Sequence, residues 1–238
     1  MSHQANLAGA ILLIGISPAF AHTIVGNRVF PATLTIDDPG VNDELVLPAF
    51  AYLQTSNPDG TLGPISYSLG WEYDKLITPD LAVAIGNEYD WQRNPQAEGW
   101  SDLETEAKYV FYENAEHEFI VAGAESVDWG NTGSPLSAAI ALPSDPFTTV
   151  TSKAFIGKGF GDASVDWLRP FAVTGEMDFS IPTLSVNSDQ SLNPTVLTYG
   201  ATLQYSLLYE NSFVHQVPEF FNKLIPCFEG IFSTPISN

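Results

Sequence analysis

The chain has one cysteine, Cys227, in 238 residues. An internal disulfide is therefore excluded, and four scattered histidines offer no ligand set for a structural zinc site. Basic residues are also scarce, with 8 Lys and Arg against 28 Asp and Glu, for a formal net charge of −20. Such a chain repels nucleic acid, which removes that partner class. Beyond Ile16 no apolar run reaches the ~20 residues of a transmembrane helix. Catalytic signatures are missing too. There is no G-x-S-x-G, and Ser212, three residues before His215, is not a recognised arrangement. Gly157, Gly159 and Gly161 form a G-x-G-x-G run without the βαβ unit that a nucleotide loop needs. The chain therefore reads as a non-enzyme, without cofactor or metal.

Only 15% of the residues are charged while 12% are aromatic, and 18 Gly and 17 Pro punctuate the chain. A disordered acidic chain would be poor in aromatics, so this composition indicates a folded protein with many turns. The N-terminus carries an apolar run from Leu7 to Ile16, then Pro18 and Ala19-Phe20-Ala21. That is the pattern of a secretory signal peptide, with cleavage expected between Ala21 and His22. A buried strand or anchor helix is the alternative, since residues 1–6 hold no Lys or Arg.

From Leu45 onward the sequence alternates with period two, which a helix cannot turn into a single apolar stripe. Ile65, Tyr67, Leu69, Trp71 and Tyr73 oppose Ser66, Ser68, Gly70, Glu72 and Asp74. Leu81, Val83, Ile85, Tyr89 and Trp91 oppose Ala82, Ala84, Gly86, Glu88 and Asp90, with Asn87 a polar intruder on the apolar face. The same holds near 103–111, 171–181 and 197–207. Weaker strands are expected at 45–53, 118–128, 148–158 and 226–236, with ambiguous faces; the Ile120, Ala122, Ala124 face fits either side. A short amphipathic helix is expected over 218–225.

About nine strands of roughly 9–13 residues suit an outer-membrane barrel, as do long connections alternating with short ones. A β-sandwich and a lipocalin-like barrel also alternate, but they bury the apolar face. Here the polar faces carry Gly, Ser, Thr and Ala beside carboxylates, as a crowded lumen would. The apolar faces place Trp71, Tyr73, Tyr89, Trp91, Trp129 and Trp167 as candidates for an aromatic girdle. The fold expected is an all-β, antiparallel transmembrane barrel: a signal peptide over 1–21, a periplasmic N-terminal segment over 22–44, and the barrel over 45–238.

The stretch from His22 to Glu44, and those from Leu203 through Pro218-Glu-Phe-Phe and Leu224-Ile-Pro to Pro235, resemble a group of proteobacterial outer-membrane transporters. These are grouped with the barrels associated with meta-pathway phenol degradation. The resemblance implies an exported outer-membrane protein that contacts lipid, the barrel-insertion machinery and a small-molecule solute, with hydrophobic or aromatic compounds as a solute class carried by the resemblance alone. It also implies a parent of ~12 strands, with about three expected beyond Asn238, because the chain ends without a terminal aromatic.

Within that reading Glu72, Asp74, Glu88, Asp90, Glu104, Glu106, Lys108, Glu176, Asp178 and Gln204 line the lumen. Carboxylate rings attract cations, so a cation-preferring or neutral-solute pore is expected. Structural plugging by carboxylates paired with Lys108 is the alternative, as are a non-transporting barrel and a soluble secreted sandwich that binds a ligand. Asp37, Asp38, Asp43 and Glu44 do not match an EF-hand loop, and a solvated turn at Asp38-Pro39-Gly40 is the expectation.

Overall fold

A computed structural model describes residues 22–56, 62–93, 96–134, 145, 147–183 and 194–236. The expected signal peptide with Ala21, the turn at 57–60 and the turn formers at 187–189 lie outside these residues.

The main structure is one antiparallel sheet. Its strands are β3 (Glu44–Ser56), β4 (Leu62–Thr78), β5 (Leu81–Arg93), β7 (Leu103–Asn114), β8 (Phe119–Trp129), β9 (Thr149–Gly159), β10 (Phe171–Pro182), β11 (Val196–Tyr205) and β12 (Cys227–Pro235). They pair in chain order, and β3 and β12 are the two edges among the described residues. Each expected strand is present, within a few residues of its expected bounds. The sheet curls into a half-barrel.

Two elements were not legible. One is β6 (Ala97–Trp100), which takes over from β7 as the partner of β5 from Tyr89 onward. Asn87 sits at this handover, and its Nδ2 donates to the carbonyls of Ser101 and Asp102 at 3.0 and 3.2 Å. The polar intruder thus satisfies backbone acceptors that the change of partner leaves free. The other is a hairpin of β1 (Thr23–Val25) and β2 (Arg28–Phe30). Gly26 takes φ +60° at its turn, and a Cβ there would lie 2.2 Å from the Ala115 carbonyl oxygen.

The expected helix is displaced. Helix α1 runs over Leu207–Phe213, while 219–223 form turns. Ser206 ends β11 and caps the helix, its Oγ accepting from the Tyr209 N–H. Pro226 disfavours helical backbone at Ile225, the end of the 218–225 stretch.

At one end of the sheet, the short-turn end, Pro79-Asp80 joins β4 to β5 and 115–118 joins β7 to β8; the longer β9–β10 and β11–β12 connections, 160–170 and 206–226, share that end. The 57–61 connection and the long loops 130–148 and 183–195 join strands at the other end.

The two faces differ in character. Leu69, Val83 and Leu203 are 39%, 40% and 46% exposed on one face. On the other, their neighbours Thr202 and Gln204 are 0% and 1% exposed. Among the described residues, no second sheet covers the apolar face, so the two-layer arrangement of a sandwich is absent. The β1–β2 hairpin and residues 31–43 instead lie on the polar face, contacting β7, β10, β11 and β12. A segment of so few residues reaches four strands only because the sheet bends round it, so the polar face is the inner one.

Candidate functional site on the inner face

Residues 22–43 fill one half of the inner face and, with the strands beneath them, enclose the protein's buried core. Val25 and Phe30 pack with Val110, Ile120, Ala122, Phe155 and Ala172. This resolves the ambiguous face of β8: Ile120, Ala122 and Ala124 point inward. The wall is shaped for the segment. At Gly157 an added Cβ would lie 2.9 Å from Pro39 Cγ and 3.3 Å from the Phe30 ring, and at Gly200 it would lie 2.6 Å from Ile36 Cδ1. The G-x-G-x-G run is this seat. Gly159 lies beneath Arg28 and Glu118, where a Cβ would meet Glu118 Oε2 at 2.2 Å, and the Gly161 N–H donates to the same oxygen at 3.0 Å.

Two polar anchors hold the segment. At the short-turn end, Arg28 Nε donates to Glu118 Oε2 at 3.1 Å and Nη1 to the Pro170 carbonyl at 2.9 Å. Nη2 donates to the Arg169 carbonyl, and the guanidinium stacks over Tyr209 at 4.0 Å. Burial lowers the Arg28 pKa from its ordinary value, and the Glu118 carboxylate opposes that fall. Glu118 adopts φ 47°, a left-handed conformation that costs a non-glycine residue roughly 1–2 kcal/mol. The contacts of its carboxylate offset that strain. Removing one partner of such a buried pair costs ~3–5 kcal/mol.

The second anchor lies further in. Lys108 Nζ donates to Asp37 Oδ2 at 2.7 Å and to the Asp38 carbonyl at 2.6 Å, and it sits 4.2 Å over the Phe155 ring. The expected solvated turn is instead a buried one, because Asp38 gathers donors that water would otherwise supply. Its carboxylate accepts from Thr23 N and Oγ1, Gly40 N and Asn42 Nδ2. Burial pushes the Asp38 carboxyl above its ordinary 3.8, opposed first by the Lys108 ammonium. Asp37 N–H donates to Glu176 at 2.8 Å, Thr33 Oγ1 donates to Glu229, and Thr33 and Thr202 hydroxyls stand 3.3 Å apart.

The expected lumen residues divide between two settings. Glu72, Asp74, Glu88, Asp90 and Glu104 lie on the inner face of β4, β5 and the start of β7, as do Glu176 and Asp178 on β10. Lys108 and Gln204 share that face but are buried beneath the segment, Lys108 at the margin of the open space. Glu106 is bound to Lys153 Nζ at 2.7 Å, with Glu104 at 3.7 Å. Sequence reasoning missed Lys153, because the faces of β9 were ambiguous. Between the segment and the β3–β5 wall is a pocket of about 80 Å³, lined by Asp37, Asn42, Glu44, Glu72, Asp74 and Lys108 among others.

Among the described residues, no group of three or more His, Cys, Asp and Glu is placed to hold a metal ion. Asp37 and Asp38 meet Lys108, while Asp43 meets Lys75 at 2.7 Å. Ser212 Oγ donates to the Leu208 carbonyl, and His215 pairs with Glu210. His117 pairs with Asp162.

On the apolar face the aromatics form two groups. Near the long loops, Tyr67 stacks on Trp91 at 5.6 Å, and Tyr89 meets Trp100 edge-on at 5.2 Å. Trp129 donates from Nε1 to Thr105 Oγ1 there. Near the short turns lie Tyr109 with Phe111, and Trp167 with Phe171 and Tyr205. Trp71 and Tyr73 fall between the groups, further along β4 than Tyr67. Tyr109, Trp100, Phe171 and Tyr205 were not anticipated, although the alternation placed Tyr109, Phe171 and Tyr205 on the apolar side.

No family model, curated protein or solved structure matches the chain.

Proposed function

We propose that this chain is an exported outer-membrane β-barrel protein, inserted by the barrel-insertion machinery, that serves as a passive channel for small solutes. The observation that carries the reading is the inversion of its faces. Leu69, Val83, Ile85, Met177, Phe179 and Leu203 stand exposed on the outside, while polar and charged residues are gathered inside. In water each fully exposed side chain of this kind forgoes about 1.5–3 kcal/mol of burial. Hydrocarbon relieves that cost along the whole band, and aromatic groups at both margins suit the two interfaces. In lipid, β3 and β12 also require strand partners, since unpaired edge groups are costly there. The resemblance to phenol-degradation transporters adds hydrophobic or aromatic compounds as the solute class.

A non-transporting structural barrel is the second reading, favoured by one observation: the segment 22–43 fills half of the inner face. Planar-bilayer recording separates the two. A channel gives discrete steps with cation preference, reduced by Glu72→Gln and Glu88→Gln. Membrane-inserted protein without steps would favour the structural barrel, and recovery as a soluble monomer without detergent would end both readings.

A further inference from the structure

We propose that residues 22–43 are a permanently seated inner plug, so that the solute route runs between this segment and strands β3, β4 and β5. The proposal rests on the channel reading above and goes beyond it by assigning the route and its walls.

Three independent features support a fixed seat. First, the wall beneath the segment is apolar or small: Ile120, Ala122, Phe155 and Ala172 are buried. Facing a water-filled lumen, these residues would be as misplaced as carboxylates in lipid. The uncovered wall of β4 and β5 carries Glu72, Asp74, Glu88 and Asp90 instead. The large apolar side chains of the wall, Ile120 and Phe155, thus lie where the segment covers it. Second, Gly157 and Gly200 lack side chains where Pro39, Phe30 and Ile36 press against the sheet. A segment that left would open two notches with no other occupant in the structure. Third, withdrawal would break the Arg28–Glu118 pair, seated at 1% and 4% side-chain exposure, together with the guanidinium's bonds to the Pro170 and Arg169 carbonyls. On the side toward β3–β5 the ties are solvent-exposed: Asp43 accepts from Lys75 Nζ and the Leu76 N–H of β4 at 2.7 and 2.9 Å. There Asp37, held by Lys108, keeps 49% side-chain exposure, and the pocket lies between it and Glu72 and Asp74.

The test uses the protein in isolated outer membranes with Cys227→Ser, which removes the exposed native thiol. A charged, membrane-impermeant methanethiosulfonate should label Ala84→Cys on the uncovered wall and leave Thr174→Cys unlabelled beneath the segment. Ala122→Cys repeats the covered position should Thr174→Cys fail to assemble. In a second arm, Thr33→Cys with Thr202→Cys exploits the 3.3 Å hydroxyl separation. Oxidation should join segment to wall, and planar-bilayer conductance should be the same oxidised and reduced. Labelling of the covered positions as fast as Ala84→Cys overturns the proposal. So does a current that oxidation abolishes and reductant restores, since the segment would then have to move. Absence of current in both states, with the labelling contrast intact, refutes the channel reading and leaves the seated plug standing.

Discussion

The inner face of the large sheet is built in two ways. Across β8 to β11 the inward positions that the N-terminal segment covers include Ile120, Phe155 and the glycines Gly157 and Gly200, with Glu176 accepting from the Asp37 N–H. Across β4, β5 and the start of β7 the inward positions carry Glu72, Asp74, Glu88, Asp90 and Glu104 beside small residues such as Ser68, Gly70 and Ala84. Both halves share one alternating pattern, apolar out and small or polar in. The difference teaches that inward apolar side chains, and glycines against which the segment's side chains press, are the imprint of a docked segment, whereas carboxylates dominate the wall it leaves uncovered.

Substitutions in the two halves should therefore differ in cost. The largest effect is expected for Glu118→Ala, which strands the Arg28 guanidinium. A loss of ~3–5 kcal/mol is expected, read as a lower urea midpoint and as protease cleavage within residues 22–43. Gly200→Val comes next, because its Cβ would strike Ile36 and the Gly230 carbonyl. Overpacking of this kind costs about 1–3 kcal/mol, again measured by urea unfolding.

A third prediction concerns pH. Asp38 has a raised pKa in the folded protein, chiefly from burial. Its stabilising contribution is thus fully present below its ordinary 3.8 and is lost as pH rises through the folded value. Asp38→Asn should flatten that part of the stability–pH curve, measured by urea midpoints across the acid range. The smallest effect is expected on the free wall: Glu88→Gln should change stability by no more than about 0.5 kcal/mol. A Glu88→Gln loss as large as that of Glu118→Ala would erase the distinction between the halves.

Most of the sheet was legible because alternation is local: five strands carry it cleanly, and four more showed as strands with ambiguous faces. What escaped depends on distant partners. Strands β1 and β2 have three residues each and are held by docking rather than by their own propensity. Arg28 and Glu118 are separated by 90 positions, and the one clue was that a chain with so few basic residues spends an arginine there. The glycine run at 157–161 was visible as a motif, but its cause is the shape of Pro39, Phe30 and Arg28 above it. Helix α1 was misplaced because Ser206 was read as the continuation of a strand, when its hydroxyl caps a helix. For the site, the carboxylates were legible as a face, but which of them stay uncovered was not.

The central claim is that the outside of the sheet meets hydrocarbon while its inside does not, and adjacent residues of β5 test it most directly. In Cys227→Ser protein reconstituted in vesicles of lipids brominated in their acyl chains, a fluorophore is attached at Val83→Cys on the outer face or at Ala84→Cys on the uncovered inner wall. Strong quenching at 83 and little at 84 is the predicted result. Equal quenching at both, or none at 83 in protein shown to be bound to the vesicles, would contradict it.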